Sequence, residues 1–93
     1  MRRRIILAPE ATADRERLVA FLVDVNPRAA LDVADTIIEA LAALAQFPER
    51  GALMDNGLRQ LIIPFGMSGY VAQYRVDPDV VIIARIFHMR ETR

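Results

Sequence analysis

The chain has no cysteine, no lysine and no tryptophan, and it carries a single histidine. Without cysteine there can be no disulfide framework, no thiolate zinc ligand and no cysteine nucleophile, a composition that fits a reducing compartment. Without lysine there is no Schiff-base former and no lysine base. One histidine cannot build the common zinc sites, and the sequence shows no P-loop, dinucleotide glycine fingerprint, EF-hand loop or metal-spaced acidic cluster. No metal and no cofactor are expected. None of the four serine and threonine residues, Thr12, Thr36, Ser68 and Thr92, is near His88 in sequence, which leaves a serine hydrolase without support. No apolar run approaches the roughly 20 residues that span a bilayer. The basic and then apolar start, Arg2 to Ala8, stops at Pro9-Glu10, too early for a signal peptide. The expectation is a cytoplasmic protein with no membrane partner, and no internal repeat or low-complexity segment is visible.

What is present points to one small folded domain, residues 1–93, of 54% apolar and 26% charged residues. A domain of this size buries only about 60 to 65% of its unfolded surface, so a bound partner or oligomer can supply a large share of its stability. Twelve arginines balance twelve acids, which argues against strong non-specific binding to nucleic acid by charge alone. The balance is uneven, −2 over residues 1–49 and +2 over residues 50–93. Two explanations compete for an all-arginine set of cations: codon usage in a G+C-rich genome, and selection for planar, bidentate phosphate contacts.

Arg2 to Ala8 is rich in Ile and Leu and reads as a strand that Pro9 ends. Glu10 to Val25 has no Gly or Pro, places Glu10, Asp14 and Glu16 early and repeats Leu18, Leu22 and Val25 at helical spacing. Asn26-Pro27 supplies an N-cap residue and a proline at the first position of a second helix, which runs to Phe47. On that helix Ala30, Ala34, Ile37, Leu41 and Leu44 trace the apolar stripe, and Asp32, Asp35 and Glu39 lie on a solvated face. Pro48 to Gly57 reads as one long loop. Leu58 to Phe65, Tyr70 to Val76 and Val80 to His88 read as strands joined by Gly66–Gly69 and by Asp77-Pro78-Asp79, an antiparallel meander. Val80 to Phe87 is almost wholly apolar and is the expected central strand. The fold class is therefore α+β: an N-terminal strand, a two-helix hairpin and a three-stranded antiparallel meander.

Candidate chemistry lies on the sheet. Strand parity puts Arg59 with Leu61 and Ile63, and Arg85 with Val81, Ile83 and Phe87. An arginine on an apolar face needs a partner, so each is either paired with an acid of the helices, such as Asp35 or Glu39 for Arg85, or part of an anion site. His88 is either a hydrogen-bonded structural residue or an acid or base acting near neutral pH. Catalysis by Arg59, Arg85 and His88 requires that they converge on one accessible surface. Tyr70 and Tyr74 share a face with Ala72 and Val76, and core packing with the hydroxyls at the sheet edge is favoured over base stacking. Leu18 to Val23 is apolar all round its helix, and Ala40 to Ala45 nearly so on the next, which predicts an exposed apolar groove along the hairpin or beside a sheet edge.

The whole chain resembles the RelE/ParE superfamily of toxins from bacterial type II toxin–antitoxin systems. The residues that carry the resemblance are Ala8-Pro9-Glu10-Ala11 with Asp14, Asn26-Pro27-Arg28-Ala29-Ala30, Phe47-Pro48-Glu49-Arg50-Gly51, Gly57-Leu58-Arg59, Tyr74-Arg75-Val76 and Arg85-Ile86-Phe87-His88-Met89-Arg90. Their order and spacing are more specific than any one piece. The resemblance implies a helical hairpin on an antiparallel sheet and a cognate antitoxin that wraps and neutralises the domain in a toxin–antitoxin hetero-oligomer. Leu18, Phe21, Leu22, Arg75 and Arg90 are the expected partner-binding residues. ParE-like members poison DNA gyrase without known catalytic residues, and RelE-like members cut messenger RNA on the ribosome. The hairpin, the Phe-Pro-x-x-Gly turn and the His-x-Arg ending resemble the ParE side. The absence of lysine, and Met89 where some RelE-like enzymes have a tyrosine, depart from the RelE side. Arg59, Arg85 and His88 nonetheless match positions where ribonuclease members carry functional groups. The expectation is thus a gyrase-directed toxin, with a ribosome-dependent mRNA interferase as the alternative and a non-toxic antitoxin-binding module as a third reading.

Overall fold

In a computed structural model the chain is described over residues 2–91; Met1, Thr92 and Arg93, which the expected domain bounds include, lie outside the described residues. Two helices form where sequence signals are strongest. Helix α1 spans Pro9–Val25 with proline in its first turn, and α2 spans Pro27–Ala43. Asn26 serves both: it ends α1 in an extended conformation, and its side chain accepts the Ala29 N–H at 3.2 Å to begin α2. α2 stops at Ala43, short of the expected Phe47, because Leu44 and Ala45 already turn more tightly, their N–H groups reaching the carbonyls of Leu41 and Ala42. No helix among the described residues is long and apolar enough to cross a membrane.

Five strands make one sheet: β1 (Arg4–Leu7), β2 (Ala52–Leu53), β3 (Arg59–Phe65), β4 (Ser68–Val76) and β5 (Val80–His88), in the order β1-β5-β4-β3-β2. The meander of β3, β4 and β5 is antiparallel as expected, and β1 adds to β5 in parallel. The expected central strand is corrected. β4 occupies the middle and β5 lies between it and β1, because the loop after α2 hides the two-residue β2 that extends the sheet on the far side. Gly66, at φ +59°, takes the first corner of the two-residue β3–β4 turn, a left-handed position that glycine adopts without steric cost.

The core fills one face of the sheet. Leu61 and Ile63 of β3, Tyr70, Ala72 and Tyr74 of β4, and Val81, Ile83 and Ile86 of β5 pack with Ala11 and Leu18 of α1 and with Val33, Ile37, Leu41 and Leu44 beyond them. The stripe on α2 runs through Val33 rather than Ala34, and Val25 of α1 is 70% exposed instead of facing inward. Each fully buried Ile or Leu contributes about 1.5–3 kcal/mol relative to exposure. Register then decides where Arg85 goes. Gln73 pairs with Arg85 but Tyr74 pairs with Ile83, so Ala84 is an extra residue, a β-bulge that reverses parity beyond it. Ile83 and Ile86 both face the core, and Arg85 and Phe87 face the opposite side, so Arg85 does not share the face of Val81 and Ile83.

Candidate functional site: a groove beside the end of β5

Where β1 stops at Leu7, the outer edge of β5 loses its strand partner, and α1 takes over. Asp14, 4% exposed on the inner face of α1, accepts the Ile86 N–H at 2.9 Å, completing the edge with a side chain in place of a strand. The same carboxylate receives Arg85 Nε at 2.7 Å and an Arg85 terminal nitrogen at 3.1 Å. Burial works against the Asp14 carboxylate, but the bonds from Arg85 and from the Ile86 N–H prevail and hold its pKa below the ordinary value. Arg85 is therefore ion-paired as one of the two expectations held, but with Asp14 and not with Asp35 or Glu39, which are exposed on α2. Its guanidinium also lies over the Phe87 ring, 4.7 Å from the centroid.

Next to this junction α1 and the sheet leave a groove of about 650 Å³. Leu18, Leu22 and Tyr70 form its apolar bottom, Phe21 stands at its rim 72% exposed, and His88 at the end of β5 with Arg90 and Glu91 of the turn after it form the facing wall, with Arg17 opposite. Glu91 Oε1 accepts the His88 N–H and an Arg17 N–H, both at 3.0 Å, and these bonds lower its pKa against the effect of its own burial. Arg17 reaches Asp14 as well, at 3.4 Å, so Arg85, Asp14, Arg17 and Glu91 form one ionic chain from the sheet through α1 to the turn. The His88 ring meets the Tyr70 ring edge-on at 5.2 Å and lies 3.4 Å from Ser68 Oγ through Nε2. Burial, and then the negative charge of Glu91, raise the pKa of Tyr70.

Of the expected partner-binding residues, the structure brings Leu18, Phe21, Leu22 and Arg90 together in the groove. Arg75 is elsewhere, on the far part of β4, held by two bonds of 3.1 Å to Asp77. The three candidate catalytic residues do not share a surface. His88 lines the groove beside its register partner Tyr70; Arg85 is on the other face of the sheet; Arg59 pairs with Tyr74, four residues or about 13 Å further along β4. There Arg59 donates to the Gly51 carbonyl at 2.8 Å and the Glu49 carbonyl at 3.4 Å. The buried Tyr74 hydroxyl donates to the Pro48 carbonyl at 2.7 Å and accepts the Gly51 N–H at 2.8 Å. Both tyrosines are core residues, as expected. Among the described residues no cluster of three or more His, Asp or Glu is placed to hold a metal.

Asp14, Arg17, Tyr70 and Glu91 were not singled out as site residues from sequence. Asp14 carried a signal: an acid at the spacing of the Ala11 and Leu18 stripe cannot be buried without a strong partner. Glu91 carried none, since its role depends on a turn that doubles back on α1.

Comparison with known proteins adds the following. The family model described as the ParE toxin of the type II toxin–antitoxin system parDE matches residues 5–93. Two curated proteins of Caulobacter vibrioides are similar over nearly their whole length: toxin RelE3, 41% identical over 94% of this chain and 95% of its own, and toxin RelE1, 36% identical over 96% of each. Among solved structures, the chromosomal ParDE system of P. aeruginosa superposes with a TM-score of 0.78 at 23% identity, covering 92% of this chain and 95% of that one. The RelBE2 toxin–antitoxin complex of Mycobacterium tuberculosis does so with a TM-score of 0.66 at 20% identity, covering 95% and 99%. These likenesses bear on the fold.

Proposed function

The chain belongs to the ParE toxin family of type II toxin–antitoxin systems, and from that premise we propose that it acts on DNA gyrase as a binding toxin, with no nucleolytic chemistry of its own. The observation that supports a non-catalytic action is the dispersal of Arg59, Arg85 and His88. A general acid or base and the cations that stabilise a phosphorane must reach one phosphate. Here Arg85 is spent on Asp14 and Arg59 on the loop carbonyls of Gly51 and Glu49, at separate places on the sheet.

The neutralising partner is a cognate antitoxin, and its seat is the groove. An exposed aromatic beside an apolar bottom, with Arg17 and Arg90 at the rim, fits an amphipathic helix with acidic residues flanking its apolar stripe. A ribosome-dependent mRNA interferase is the second reading, favoured by the RelE names of the curated relatives. Induction of the protein in cells separates the two. Filamentation with a DNA-damage response is expected; an abrupt stop in translation with cleaved messages and no DNA damage would overturn the gyrase reading. Co-expression of the product of the adjacent gene is expected to restore growth.

A further inference from the structure

The wall of the groove formed by residues 88–91 leaves β4 after Met89 and turns back toward α1. Its shape rests on a few bonds: Met89 N–H to the Gly69 carbonyl at 3.0 Å, Glu91 N–H to the His88 carbonyl at 3.0 Å, His88 N–H to Glu91 Oε1 at 3.0 Å and Arg90 N–H to His88 Nδ1 at 3.2 Å. The last is the one whose acceptor is the imidazole ring itself. A backbone N–H aimed at Nδ1 requires a lone pair there, which places the ring proton on Nε2, where Ser68 Oγ lies 3.4 Å away as its acceptor.

We infer that His88 is a positioning residue for the groove's occupant: its ring, carrying its proton at Nε2, accepts the Arg90 N–H at Nδ1 and so fixes Arg90 and Glu91 as one wall. The inference rests on the groove being the antitoxin's seat. The charged and titratable neighbours sharpen it. α1 contributes Arg17, β4 contributes Tyr70, and the turn contributes Arg90 and Glu91. Glu91 is the one anion among them, and it is already engaged by Arg17 and by the His88 N–H.

Nitrogen NMR of the full chain tests this without the partner, because imidazole nitrogen shifts distinguish the tautomers. The expected result is the Nε2–H form, with a hydrogen-bond coupling between Nδ1 and the Arg90 amide. An Nδ1–H ring would overturn the inference. His88→Asn places an acceptor oxygen where Nδ1 stands, and His88→Ala removes the acceptor. Calorimetry with the product of the adjacent gene is expected to show the alanine variant binding about three- to tenfold more weakly than wild type, the scale of one hydrogen bond, and the asparagine variant recovering most of that loss. Equal loss in both variants, or none in either, overturns the inference. Phe21→Asp separates this from failure of the groove reading: an affinity untouched by that change refutes the groove as the seat, whatever the ring does.

Discussion

At the end of the sheet where β3 begins and β4 finishes, polar groups close on one another, whereas at the end where β4 begins and β5 finishes they face a groove. The first end is a clamp. Tyr74, wholly buried, takes the Gly51 N–H and gives its proton to the Pro48 carbonyl, and Arg59 holds the next carbonyls, so the loop after α2 has little freedom. The second end leaves Phe21 in solvent and relies on Glu91 and His88 to shape a short turn. One end closes on itself, and the other is the open groove proposed as the antitoxin's seat. Both lie on the same β4, four residues apart, at Tyr74 and Tyr70.

Substitutions can break this contrast. The largest effect on stability is expected from Tyr74→Ala, which opens a cavity and orphans the Gly51 N–H, at about 3–5 kcal/mol by denaturant unfolding. A fully folded variant within 1 kcal/mol of wild type would show that the clamp does not support the fold. Asp14→Ala leaves the buried Ile86 N–H unpaired and is expected to cost about 1–3 kcal/mol. Because the Asp14 pKa is lowered in the native state, its contribution is complete above about pH 4 and is lost as pH falls through the lowered value. Asp14→Asn should thus flatten the acid limb of the stability curve, and an unchanged limb would count against the pairing. Gly51→Ala is a subtler attack on the clamp. A Cβ there would lie 2.6 Å from the Tyr74 hydroxyl and 3.0 Å from the Gln60 carbonyl, so thermal unfolding should shift by about 1–3 kcal/mol, or some 4–8 °C for each. At the groove, Phe21→Asp should move stability by no more than about 0.5 kcal/mol while reducing antitoxin binding at least about tenfold. Loss of stability without loss of binding would reverse the assignment of the two ends.

The sequence made the local elements plain, and the long-range ones less so. Asn26-Pro27 marks the hairpin because a cap and a fixed φ act within a few residues, and the connection at Gly66–Gly69 is equally local, although Ser68 and Gly69 join β4 and leave a two-residue turn. β2 escaped notice because two residues carry no periodicity. The side on which Arg85 lies was misjudged because one extra residue, Ala84, reverses alternation, and nothing in the run Val80 to Phe87 marks a bulge. The partner of Arg85 was sought on α2, although Asp14, 71 positions away on α1, was the acid set into an apolar stripe. The apolar excess at Leu18 to Val23 did point to the groove, which Leu18, Phe21 and Leu22 of that run line, since surface that a small sheet cannot cover is visible in composition. Its opposite wall was not legible, because Glu91 and His88 matter only once the turn folds back on α1.

The parallel pairing of β1 with β5 ties the first strand to the last. Residues 4–7 are made before both helices, but the strand they lie against follows only after them, together with the Ile86 N–H and the guanidinium that Asp14 needs. Contacts so distant in sequence slow folding, since a long loop must close before they form. A nascent chain in which β5 is not yet made has neither a complete sheet nor a groove wall. Until that strand is made the domain stays unfinished, and the interval before closure is set by the topology itself.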